Sequence, residues 1–164
     1  MKTTTRMTAL AAMLALALFN CSRQEEAAKP DKGEPAESAS VSAAEEEQIL
    51  LAVKRNLAAA QAKNLDEYLA TLDPDSPAYE NTRSLMERMF RDYDLHYQLI
   101  KLSLEEVQAG TARVEFIQVT RKLSGPEFRD NQVTGRHLLK QTEEGWKIAD
   151  TELLDVRFFE EGLR

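Results

Sequence analysis

Apolar residues recur every three or four positions up to Asp94 and every second position after it. That change of period orders the architecture: helices first, then strands. Ser42 with Glu45 forms a capping box, and Ile49, Leu50, Val53, Leu57 and Ala60 follow at helical spacing, which predicts a helix over 43–62. Asn64 with Glu67 repeats the cap, and Leu65, Tyr68, Leu69 and Leu72 share one face until Asp73-Pro74 ends the second helix. A third helix is expected to take Ser76 as N-cap, Pro77 in its first position and Glu80 at its positive end. Tyr79, Thr82, Met86, Met89, Phe90 and Tyr93 form its buried stripe, with the two methionines read as core filler.

Four strands are expected over 95–107, 111–122, 132–142 and 146–156. A three-residue loop, Gln108-Ala109-Gly110, sets Leu104 opposite Val114, Leu102 opposite Phe116 and Glu105 opposite Arg113. A two-residue loop sets Leu104 against Glu115 instead, so packing favours the longer loop. In the last hairpin, Glu143-Glu144 at the tip places Gln141 opposite Trp146, Leu139 opposite Ile148 and His137 opposite Asp150. Trp146 and Ile148 then mark the core face. The other face carries Leu99, Ile117, Val119 and Leu138, apolar enough to expect cover from a C-terminal segment or a second subunit.

The first 20 residues are of another kind. Lys2 and Arg6 precede an apolar run of about 13 residues ending at Phe19, too short to span a bilayer that needs about 20. This reads as a signal peptide. Leu18-Phe19-Asn20-Cys21 resembles a bacterial lipobox, with Asn20 where Gly or Ala is usual. The resemblance implies cleavage before Cys21 and acylation of that cysteine, which leaves no thiol for catalysis. Ser22, in place of an inner-membrane retention Asp, implies the periplasmic side of the outer membrane in a Gram-negative cell. From Ser22 to Val41 the chain is Glu, Ala, Lys, Pro, Gly and Ser with little to bury, a solvated tether of about 25 Å typical reach. The expected division is therefore a signal peptide over 1–20, lipidated cysteine and tether over 21–42, and one domain over 43–164.

The 164-residue chain has a net charge of −7, and losing residues 1–20 takes it to about −9, which argues against nucleic acid as a partner. A single cysteine excludes an internal disulfide. The two histidines, 41 positions apart, have no metal-ligand spacing, and the glycines are isolated, so neither metal nor cofactor is expected.

Three helices, a long antiparallel meander and a closing Glu144-Gly145-Trp146-Lys147-Ile148-Ala149-Asp150 resemble the nuclear transport factor 2-like superfamily over about 44–157. That resemblance implies an α+β, cystatin-like cone: three N-terminal helices packed on a curved four-stranded antiparallel sheet, with an interior pocket. It also implies frequent dimerisation through the outer sheet face.

Core-face parity aims His96, Gln98, Gln118, Thr120, His137 and Asp150 inward, with Tyr68 and Tyr79 from the helices and Phe116, Trp146 and Ile148 as apolar lining. His137 and Asp150 are the candidate acid/base pair, Asp150 orienting the imidazole; the alternative is a satisfied polar pair at the core rim. Steroid isomerase-like relatives use a carboxylate base with tyrosine and acid donors. No position matches their motif, so no catalytic residue is carried over. Two functions stay open: a membrane-tethered, non-enzymatic envelope module binding a small apolar molecule or a protein partner, and a small-molecule isomerase, cyclase or hydrolase using His137 and Asp150.

Overall fold

The computed structural model describes residues 41–159. The expected signal peptide, Cys21 and nearly all of the tether lie outside these residues.

Helix α1, Ala43–Gln61, starts where Ser42 accepts a hydrogen bond from the Glu45 amide at 3.2 Å. Helix α2, Leu65–Ala70, starts the same way, with Asn64 accepting from the Glu67 amide at 3.2 Å. Both caps satisfy amides that the first turn leaves without intrahelical partners. Helix α3, Tyr79–Asp92, begins later than the Ser76-Pro77 signal suggests. Ser76 accepts from the Ala78 amide and donates its hydroxyl to the Ala149 carbonyl at 2.7 Å, so it ties the turn to the sheet instead of opening the helix.

Strands β1 (Asp94–Gln108), β2 (Thr111–Ser124), β3 (Asn131–Thr142) and β4 (Gly145–Phe158) form one antiparallel sheet in chain order. The α2–α3 linker adds a short parallel bridge beside β4: Ile148 donates to the Thr71 carbonyl at 2.9 Å, and Asp73 donates to the Ile148 carbonyl at 2.8 Å. Two-residue turns close the first and the last of the three hairpins. Ala109 and Gly110, at φ of +49° and +76°, make a two-residue turn of the mirror-image kind that matches strand twist. Leu104 nevertheless faces Val114, because Glu105 is bulged out and Glu106 takes the place opposite Arg113. The expected Leu104 and Leu102 pairings hold, while the three-residue loop and the Glu105 pairing are corrected.

The sheet curls over the helices, and one half of the enclosed space is solid. Ile49, Val53, Leu69, Leu72, Val114 and Leu139 pack there with Trp146 and Ile148, and Trp146 is only 6% exposed. Burying an aromatic side chain of this size is among the largest single contributions a core can receive. The indole N–H finds no hydrogen-bond partner among the described residues.

Candidate functional site

The other half of the enclosed space is hollow. A cavity of about 370 Å³ opens between α1, α3 and the inner sheet face, inside the range typical of ligand pockets. Val53, Leu57 and Ala60 of α1 and Leu85, Met86 and Met89 of α3 wall one side. Leu95, Leu99, Val133, Leu153 and Val156 wall the other. Phe128, Arg129 and Phe158 also line it. Met86 and Met89 therefore do more than fill core: both border the cavity, and Met89 is buried.

Strand parity decides which polar groups reach this space, and bulges reset parity. Ile100 is an extra residue in β1, so Tyr97 and Leu99 point inward on one side of it, and Leu102 and Leu104 on the other. Gln98 is consequently exposed and does not line the cavity, contrary to the parity carried back from Leu102. His96 is exposed as well. In β4 a bulge at Ala149 pairs Asp150 with Leu138 and Thr151 with His137.

The expected His137–Asp150 pair is therefore not formed. His137 Nδ1 meets the Thr151 hydroxyl at 2.8 Å, whereas Asp150 is exposed and its Oδ1 accepts from the Thr151 amide at 2.8 Å. Asp150 borders only a smaller recess of about 100 Å³, shared with Tyr79, Ile148 and Ser76. Tyr79 and Ile148 are corrected in the same sense: they line this recess and not the cavity. Trp146 lines neither, because it is spent on the packed half. The remaining expected lining residues, Tyr68, Phe116, Gln118, Thr120 and His137, do face the cavity.

Sequence reasoning missed Asn56, Tyr97, Thr151 and Arg129, all of which line it. A signal for Tyr97 was present: Leu95 and Leu99 share its parity, opposite to that of Leu102 and Leu104.

Apart from Arg129, the titratable groups of the cavity are held neutral. Burial pushes His137 down to about 4 and Tyr97 up to about 12, the latter helped by the nearby Tyr68. Burial also raises Tyr68, partly opposed by the Asn56 amide. Asn56 donates to the Thr71 hydroxyl at 2.7 Å, and Gln118 to the Thr120 hydroxyl at 3.1 Å. Among the described residues, no carboxylate lines the cavity. The site can offer hydrogen bonds and apolar contact to a bound molecule.

Of the residues expected on the outer sheet face, Leu99 turns inward, whereas Ile117, Val119 and Leu138 keep the outer parity. Ion pairs cross the same face: Lys101–Glu115 at 2.7 Å, Arg136–Glu105 at 2.6 Å, Arg136–Glu152 at 3.3 Å and Arg113–Glu106 at 3.2 Å.

Comparison with known proteins agrees with this geometry. A family model described as "Anti-sigma-I factor RsgI9, C-terminal domain" matches residues 52–159. The anti-sigma-I factor RsgI9 of Acetivibrio thermocellus is 29% identical over 73 residues, which is 44% of this chain and 10% of that protein. The chain thus spans about a tenth of the length of the curated relative it matches. Among solved structures, a proposed aromatic ring hydroxylase from Novosphingobium aromaticivorans superposes with a TM-score of 0.60 at 14% identity, over 73% of this chain and 96% of its own. A cystatin-like protein of unknown function from Nostoc punctiforme superposes at 0.58 with 12% identity, over 71% and 94%. An NTF2-like protein of unknown function from Pseudomonas putida superposes at 0.58 with 12% identity, over 68% and 87%. Those likenesses show a nuclear transport factor 2-like fold, and on the family match the chain belongs to the family of the anti-sigma-I factor RsgI9 C-terminal domain.

Proposed function

We propose that this chain is an exported lipoprotein, acylated at Cys21, whose domain binds a small apolar or amphipathic molecule without transforming it. The observation that carries the reading is the cavity: about 370 Å³, walled mainly by apolar side chains, with His137, Tyr68 and Tyr97 held neutral and no carboxylate lining it among the described residues. The catalytic alternative loses its residues, since His137 hydrogen-bonds Thr151 and not Asp150. The curated relative is named an anti-sigma-I factor, a name that supports recognition over turnover. The lipid and tether would hold the domain at the periplasmic side of the outer membrane where the cell has one. A homodimer through the outer sheet face draws less support from ion pairs than it would from an apolar surface.

Titration with Nile red, an uncharged apolar dye, tests the cavity. Saturable uptake near one dye per chain, lost when Leu153→Trp fills the space, supports the reading. Absence of uptake, or uptake indifferent to Leu153→Trp, refutes it.

A further inference from the structure

Among the described residues lining the cavity, the one that carries a full charge is a cation, Arg129. This is unexpected in a chain whose net charge is −7. The Arg129 guanidinium lies 4.5 Å from the centroid of the Phe158 ring, at the end of β4, and Phe158 itself lines the cavity. A cation over an aromatic face is held by the ring's quadrupole while its N–H groups stay free to donate sideways. Arg129 takes part in none of the ion pairs formed among the described residues.

Its acidic chain neighbour is already engaged: Asp130 accepts from the Lys122 amide at 2.9 Å. Inside the cavity, Leu153, Val156, Val133 and Leu99 present aliphatic surface.

We infer that the ligand is an amphipathic carboxylate, its anionic head on Arg129 and its apolar body against Leu153, Val156 and Val133. This rests on the binding reading proposed above and adds the ligand's charge. A planar guanidinium suits a carboxylate, with which it can form two parallel hydrogen bonds. Arg129 is exposed, so the head keeps part of its hydration while the body leaves water. An amphipathic cation meets no carboxylate among the described lining residues and is disfavoured by Arg129.

Calorimetric titration of the chain from residue 21 onward, carrying Cys21→Ser, with dodecanoate, dodecan-1-ol and dodecylammonium below their micelle concentrations separates the possibilities. Dodecanoate is expected to bind about tenfold more tightly than dodecan-1-ol at low salt, the scale of one charge-assisted contact. Arg129→Gln should erase that advantage by weakening dodecanoate more than dodecan-1-ol, and added salt should shrink it. Equal affinities for acid and alcohol, an advantage that survives Arg129→Gln, or a preference for dodecylammonium overturns the inference while the cavity reading stands. Binding of none of the three overturns both.

Discussion

The ring of Phe116 stacks on the imidazole of His137, with centroids 4.4 Å apart and planes inclined by 18°. Gly135, the cross-strand partner of Phe116, makes room for this, since a Cβ there would lie 2.5 Å from Phe116 Cζ and 3.0 Å from the Glu152 carbonyl. The ring therefore lies over bare backbone, and both aromatic groups face the cavity. Gly135→Ala is expected to destabilise the domain by about 1–3 kcal/mol, the usual cost of overpacking. Adding Phe116→Leu should recover part of that loss, and urea unfolding of the two singles and the double measures the coupling.

The same ring makes stability depend on pH. His137 titrates near its ordinary 6.5 in the unfolded chain but is pushed down to about 4 by burial in the fold. Between those values the unfolded chain binds a proton that the folded one refuses. This contribution is therefore fully present above 6.5, declines as pH falls towards 4, and changes no further below that. The loss should be of order 2 kcal/mol, discounted for the ring's partial exposure. His137→Gln should flatten the difference between urea midpoints at pH 7 and pH 5.

How much of this was legible in the sequence depends on how local each signal is. The caps at Ser42 and Asn64 act within one turn, and their helices stand where expected. Period-2 patterning marked all four strands, and the burial of Trp146 and Ile148 followed from it. Parity across a bulge is different, because one extra residue turns every later side chain over. Ile100 and Ala149 are apolar and suit either face, so nothing local announces them. Unbroken parity therefore puts Gln98 inside and Asp150 opposite His137, where the structure has neither. The break could be inferred only by comparing distant residues, Leu95 and Leu99 against Leu102 and Leu104.

Ala109 occupies a left-handed position, φ +49°, that costs an alanine more than an asparagine. Ala109→Asn converts the tip to Asn-Gly, the sequence this turn prefers. A gain of about 0.5–1 kcal/mol is expected, seen as a rise of a few degrees in Tm. No gain would mean that the tip relaxes to another turn in solution.

Cys21 lies outside the described residues, so its proposed acylation needs a chemical test. Cells expressing the full chain and fed labelled palmitate should label the wild type and not Cys21→Ala. The unlabelled variant should be recovered without the membrane-anchored form. Equal labelling of the two chains would remove the lipoprotein proposal and leave the domain's fold and cavity untouched.

From residue 21 onward the chain contains two methionines, Met86 and Met89, and both line the cavity. Their methyl resonances, in a chain labelled with 13C-methyl methionine and carrying Cys21→Ser, report directly on what enters. Titration with dodecan-1-ol is expected to move both signals saturably in the wild type and leave them still in Leu153→Trp. Two signals that do not shift with added alcohol, or that shift equally in the filled variant, would contradict binding within the cone.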